Sequence, residues 1–260
     1  MSNPSAFSLQ PSTFRLSDFF LTLLYWTWFI PGFFLFFSWR YLACALFSQD
    51  REHCFQRLNS RFFQVFFRII RCTAPSHTWE IDQEAAAIRS AVIVCNHLSY
   101  LDPLLLIALF ERHRTIVKTR FFSMPVFGWI IKQSGYFPAG SEGPFAGMML
   151  KQMASMENFL AQGGNLFIFP EGTRSRDGRL GDLNQGAMKI ARLCRAPIYV
   201  LQLAHTDHLF APGKFLFQTR TRNTVTLKLL ARIAPDYEQH APSAADLEQQ
   251  IQATYRTVRS

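Results

Sequence analysis

Ala91-Val92-Ile93-Val94-Cys95-Asn96-His97-Leu98-Ser99-Tyr100-Leu101-Asp102-Pro103 is the stretch whose reading decides the architecture. Ala91 to Cys95 is an unbroken apolar run, and it predicts a short strand buried on both faces. A second run, Leu166-Phe167-Ile168, leads into Phe169-Pro170-Glu171-Gly172-Thr173-Arg174-Ser175. Both polar clusters therefore stand at the end of a buried strand, where an α/β fold gathers its chemistry. His97 and Asp102 are five positions apart, about 140° around a helix, so they do not share a helical face. They meet only if His97 lies in the turn and Asp102 at the mouth of the next helix. Pro103 favours that arrangement, with proline at the first helical position and Asp102 as the cap.

An imidazole near its ordinary pKa of roughly 6.5 accepts a proton at neutral pH, and a carboxylate on its other nitrogen fixes the tautomer and stabilises the imidazolium. No Gly-x-Ser-x-Gly elbow supplies a nucleophile. The pair reads as a dyad that deprotonates a hydroxyl of the substrate; the plainer alternative is a helix cap beside a turn histidine. In the second cluster Gly172 permits a tight turn, Arg174 can grip a carboxylate or phosphate, and Glu171 can bond a substrate hydroxyl or pair with Arg174. Its plainer alternative is a turn closed by a local Glu–Arg pair.

In this order and at this separation the two segments resemble the glycerolipid acyltransferase family. The first family motif, Asn-His-x4-Asp, is matched at Asn96, His97 and Asp102, and Phe-Pro-Glu-Gly-Thr-Arg-Ser is matched in full from Phe169 to Ser175. Lys118 followed by Pro125-Val126-Phe127-Gly128-Trp129 is also family-like, and Leu183–Ala187 and Ala196–Val200 resemble two further motifs imperfectly. The resemblance implies a layered α/β sheet flanked by helices and O-acyl transfer, with His97 as general base and Asp102 orienting it. It further implies that Arg174, assisted by Lys118, holds an anionic acceptor head, with Glu171, Gly172 and Thr173 completing the substrate site. The implied donor is acyl carrier protein or a coenzyme A thioester, with no resident cofactor or metal. The leading acceptor is 1-acylglycerol-3-phosphate.

One departure bears on that acceptor. The family's second motif ends in an arginine that helps hold the acceptor phosphate. Here the corresponding stretch is Gly135-Tyr136-Phe137-Pro138-Ala139-Gly140, with glycine in the arginine's place. An acyltransferase acting on a non-phosphate lipid is therefore a rival reading, and a non-enzymatic membrane-association module is a more distant one.

The chain has 260 residues, a formal charge of +9 and 15% aromatic residues, 27 of them phenylalanine. A basic, Phe-rich chain suits either nucleic acid or an anionic membrane surface. The absence of a nucleic-acid-binding motif and the crowding of aromatics into the first seventy residues favour the membrane. Five cysteines without CxxC spacing argue against a disulfide framework and against a zinc site.

Phe19 to Trp39 carries no charge and is long enough to cross a bilayer core, about 30 Å. Pro31-Gly32 in its middle leaves two half-length helices in one leaflet as the alternative. Arg57, Arg61, Gln64, Arg68 and Arg71 then recur at helical spacing, opposite Phe55, Phe62, Phe63, Phe66 and Ile70, with Asn59 the one polar intruder. This helix suits a bilayer interface, or else packs on the domain with a solvated basic face. The division expected is 1–72 as membrane-anchoring helices (apolar 19–39, amphipathic 55–71) and 73–260 as the acyltransferase domain. The resemblance places the protein on the cytoplasmic face of a membrane. Along the rest of the chain we expect a connector at 72–80, a helix at 103–110, a strand at Thr115–Val117 and a single helix from Pro144 to Ala161. A helix at Gly186–Leu193, extended chain at Ile198–Leu203 and Val225–Leu229, and a final helix opened by a capping box at Ser243–Asp246 complete the reading. Residues 1–13 read as disordered.

Overall fold

The structure is a computed structural model that describes residues 16–140, 145–172, 183–239 and 241–257. Four helices open the chain: α1 (Leu16–Thr27), α2 (Phe33–Phe36), α3 (Ser38–Phe47) and α4 (Arg51–Thr73). The strands are β1 (His77–Ile81), β2 (Ala91–Cys95), β3 (His113–Val117), β4 (Phe137–Pro138), β5 (Asn165–Ile168), β6 (Ile198–Ala204) and β7 (Asn223–Ile233). Around them lie α5 (Gln83–Ala86), α6 (Leu101–Leu109), α7 (Phe127–Gln133), α8 (Ala146–Ala154), α9 (Met156–Ala161), α10 (Gly186–Leu193), α11 (Thr206–Leu209) and α12 (Ala244–Thr257).

The strands form one sheet in the order β1-β7-β6-β2-β5-β3-β4, parallel throughout except between β6 and β7. β2 is central, and its pleat divides the core. Ala91, Ile93 and Cys95 face one apolar layer with α4 and α6, while Val92 and Val94 face the other with α9, α10 and α12. Helices on both faces explain why every β2 residue is apolar. Because β2, β5, β3 and β4 run parallel, His97, Phe169, Lys118 and Gly140 all emerge at one edge of the sheet.

Four expectations are corrected. Residues 77–81 are not connector but edge strand β1, which alternates buried and exposed positions and pairs with β7. The expected helix from Pro144 to Ala161 is two helices, divided at Ser155, whose hydroxyl accepts from the Arg114 guanidinium at 2.9 Å; Pro144 itself lies outside the described residues, as do residues 1–13. Helix α6 starts at Leu101, so Pro103 is not its first residue. Cys44 and Cys54 are joined by a disulfide, with Cα atoms 6.1 Å apart, which ties α3 to the start of α4.

The arginine stripe of α4 is exposed and its phenylalanine face is buried, but in protein rather than bilayer. Phe66, Phe67 and Ile70 join the core layer beneath the sheet, and Phe55, Leu58 and Phe62 pack on α3. The division expected at residue 72 therefore does not coincide with a gap in packing. A bidentate pair, Arg114 Nε to Glu52 Oε1 at 2.7 Å and Nη2 to Oε2 at 2.9 Å, fixes the start of α4 to β3. Gly128, in the family-like segment after Lys118, has a packing reason: a Cβ there would lie 2.5 Å from the Phe122 carbonyl oxygen.

Asn59, the polar intruder, anchors a buried chain of hydrogen bonds. Its oxygen accepts from Tyr41, and its amide donates to Ser134 Oγ and Tyr136. Tyr136 in turn donates to His113 Nε2, whose Nδ1–H donates to the Phe110 carbonyl. Burial lowers the pKa of His113 from 6.5 to about 4. Between those values the unfolded chain binds a proton that the fold does not, so stability is full above the unfolded pKa and falls on acidification towards 4. From pH 7 to pH 5 this group costs about 2 kcal/mol. Urea unfolding of His113→Gln should show a shallower pH slope over that interval; an unchanged slope would remove His113 as the cause.

Candidate active site

The site is built at the C-terminal ends of β2 and β5. Asn96 behaves as one more rung of the sheet: its side chain donates to the Leu203 carbonyl at 2.8 Å and accepts from Leu203 N–H at 2.7 Å. This fixes where the first loop leaves β2. His97 follows, with Nδ1 2.9 Å from Asp102 Oδ2 and its ring stacked on Phe169 at a centroid distance of 4.3 Å. The two loops thus meet through a ring-to-ring contact. They also meet through Glu171, whose Oε1 accepts the His97 backbone N–H at 3.1 Å.

Asp102 is fully buried and reaches backwards. Its Oδ2 accepts the backbone N–H groups of Leu98 at 2.5 Å and Ser99 at 2.7 Å, besides the His97 bond. Ser99 Oγ accepts from Leu101 N–H at 3.2 Å. These bonds tighten the turn that leads into α6, which begins at Leu101, two residues before Pro103. The other carboxylate oxygen, Oδ1, accepts from Thr206 Oγ1 at 2.5 Å. Four donors converge on a group that, when ionised, only accepts. With Nδ1–H committed to Asp102, Nε2 is the imidazole nitrogen left to take a proton. Beneath the pair, burial pushes the Cys95 thiol well above its usual range, and the charges of Asp102 and Glu171 push it further.

Of the remaining expected residues, Gly172 has φ +66°, the left-handed turn that glycine permits. Lys118 is exposed at the same sheet edge, two strand spacings or about 10 Å from the His97 strand, and it does not touch the dyad. Thr173 and Arg174 lie outside the described residues. Thr206 is the residue the sequence did not yield. It sits in His205-Thr206-Asp207-His208, a segment that draws attention to its histidines, and its partner is 104 positions upstream. No local spacing marks such a contact.

The segment after β6 also connects the site to α1. Ser99 Oγ donates to the Phe210 carbonyl at 2.6 Å, Phe210 stacks on Phe217, and Phe217 N–H donates to Thr22. Asp18 accepts from the backbone and hydroxyl of Thr219, and Trp26 stacks on Phe215.

Asp102→Ala should leave four donors without their acceptor, those of Ser99 and Thr206 fully buried, and we expect it to cost about 3–5 kcal/mol in urea unfolding. A loss under about 1 kcal/mol would show that the carboxylate does not organise this loop.

The Acyltransferase family model matches residues 78–203. The chloroplastic 1-acyl-sn-glycerol-3-phosphate acyltransferase BAT2 of Brassica napus is 36% identical over 123 residues, which is 47% of this chain and 35% of that protein. A 1-acyl-sn-glycerol-3-phosphate acyltransferase of Saccharomyces cerevisiae is 25% identical over 199 residues, 75% of this chain and 62% of that protein. The chain therefore spans about a third of the length of the plant relative it matches. The crystal structure of the 1-acyl-sn-glycerophosphate (LPA) acyltransferase PlsC from Thermotoga maritima superposes with a TM-score of 0.69 at 20% identity, covering 94% of this chain and 97% of that one. That likeness establishes a shared fold. Residues 78–203, which hold His97, Asp102 and Glu171, are thus similar to the Acyltransferase family.

Proposed function

We propose that this protein transfers a fatty acyl group from a thioester to the hydroxyl of 1-acylglycerol-3-phosphate. The observation that carries the reading is the His97–Asp102 pair at 2.9 Å, locked from behind so that Nε2 is the basic nitrogen. His97 Nε2 takes the acceptor hydroxyl proton as the oxygen attacks the thioester carbonyl carbon. The carbonyl π electrons move onto oxygen, and backbone N–H groups of the second loop are the donors suited to that oxyanion. Collapse breaks the carbon–sulfur bond, and the imidazolium returns its proton to the leaving thiolate. Transfer is direct, without an acyl-enzyme. Arg174, with Lys118, holds the acceptor phosphate; Gly172 and Thr173 shape its surroundings, and Glu171 holds the two loops together. The donor is acyl carrier protein or coenzyme A, polyanions that suit a chain of net charge +9.

The acceptor is a lipid, and the N-terminal helices fit a bilayer. Leu16–Phe36 is long and apolar enough to cross a membrane, with a mean hydropathy of 1.7, and only 17% of its most apolar window is buried. Its inner side is nevertheless bound to the domain through Asp18, Thr22 and Tyr25. Pro31 lies within a π-helical turn, Trp28–Gly32, and the chain bends again at Phe37 before running back along α4. We therefore favour a helix pair seated in one leaflet on the cytoplasmic side. Phe20, Leu24, Ile30, Leu35 and Trp39 are exposed for the lipid.

Gly140 supports a second reading, a non-phosphate lipid acceptor. It stands at the same edge as Lys118, and among the described residues a Cβ there would meet only Thr119 Oγ1, at 3.7 Å. The site has room for the side chain that is missing. Both readings are tested with one radiolabelled acyl thioester and a panel of lyso-lipids presented in vesicles. We expect lysophosphatidate to be acylated, and His97→Ala to lower turnover at least about 1000-fold while vesicle binding is unchanged. Acylation of a neutral or zwitterionic lipid in preference to lysophosphatidate would overturn the acceptor, and an active His97→Ala would overturn the mechanism.

A further inference from the structure

We infer that Thr206 is a positioning residue of the dyad, holding the Asp102 carboxylate in the rotamer that orients His97. The inference rests on the reading of His97 as general base. A carboxylate fixed at one oxygen can still turn about its Cβ–Cγ bond, because that terminal torsion is soft. Oδ2 is shared among three donors, all from the loop that contains His97. Oδ1 has one donor among the described residues, Thr206 Oγ1, and it comes from the other side of β2, beyond the end of β6. The two anchors together define the carboxylate plane.

Thr206 is itself well fixed. It is fully buried, follows a residue in the left-handed region (His205, φ +63°), and begins α11. Its carbonyl accepts the Phe210 N–H at 3.0 Å, and the Phe210 carbonyl accepts from Ser99 Oγ in the catalytic loop. One short segment thus grips both the carboxylate and the turn that presents it. The segment continues to Phe217 and Thr219, which are hydrogen-bonded to Thr22 and Asp18 of α1. The support behind Asp102 is therefore also the part of the domain that holds the N-terminal helix.

Removing the Thr206 hydroxyl has a consequence that loss of packing alone does not. The negative charge on Asp102 becomes less dispersed, so both the carboxylate and the imidazolium bonded to it hold their protons to higher pH. The other titratable groups beside Asp102 are the Cys95 thiol, held neutral by burial, and Glu171, which faces the His97 backbone. His205 and His208 flank Thr206 with their rings stacked on each other and exposed, and Asp207 lies between them. None of these residues is itself replaced in the Thr206 variants.

The experiment measures acyl transfer to lysophosphatidate vesicles for the full chain and for Thr206→Val, Thr206→Ala and Thr206→Ser, with His97→Ala alongside. We expect Thr206→Val and Thr206→Ala to lower kcat roughly 10- to 100-fold with the acceptor KM within about twofold. The acidic limb of the kcat–pH profile should move to higher pH, and Thr206→Ser should recover kcat to within about threefold. If the valine variant is not recovered folded, the alanine variant carries the same expectation, with thermal unfolding as the control. A wild-type kcat and acid limb in a folded variant lacking the hydroxyl, with His97→Ala inactive, would overturn the role of Thr206 alone. A lowered kcat with an unmoved acid limb, or no recovery by serine, would assign Thr206 to packing. An active His97→Ala would instead overturn the base reading on which the inference rests.

Discussion

The site depends on one buried carboxylate. Asp102 has no contact with water and is surrounded by donors: two backbone N–H groups, a threonine hydroxyl and the imidazole it orients. Burying such a group is costly unless it is fully hydrogen-bonded. The satisfied arrangement therefore permits little variation in the loop that supplies the bonds. Leu98 and Ser99 must turn their N–H groups inward, and that turn brings the His97 ring over Phe169. The imidazole is placed by its bond to that carboxylate and by its stack on Phe169.

The sheet carries this constraint outward. Parallel pairing of β2 with β5 brings the His97 and Glu171 loops side by side, and the Asn96 bridge to Leu203 brings β6 and its following segment to the same edge. That segment ends in contacts with α1. The N-terminal helices are thus part of the architecture around the site: their apolar interior continues into the core through Tyr25, Phe66 and Phe217. A membrane attachment of the kind proposed would hold the catalytic edge at a set height relative to the lipid.

Local patterns were the legible part of the chain. The apolar run at 91–95, the Gly186–Leu193 helix and the Ser243–Asp246 capping box, with its reciprocal bonds of 2.8 and 3.1 Å, follow from residue type and spacing alone. So did the stripe on α4, although periodicity shows that a face is apolar without saying what will cover it. Lipid and protein core select the same phenylalanines. Strand β1 was missed because five residues with one exposed edge and a charged position resemble a linker until β7 arrives to pair with them. Cys44 and Cys54 are ten positions apart on different helices, and their pairing needs the α3–α4 reversal. Thr206 was illegible for the same reason: its role exists only once β6 lies beside β2.

The central claim is that Asp102 holds the imidazole of His97 with its proton on Nδ1, leaving Nε2 as the base. Nitrogen-15 NMR of protein labelled at histidine, with His97→Gln used to assign the signal, reads that tautomer directly at pH values above the histidine's titration. The account predicts a protonated Nδ1 coupled to a low-field proton and an unprotonated Nε2. A proton resident on Nε2 in the neutral ring, or rapid exchange between the two tautomers, would contradict it.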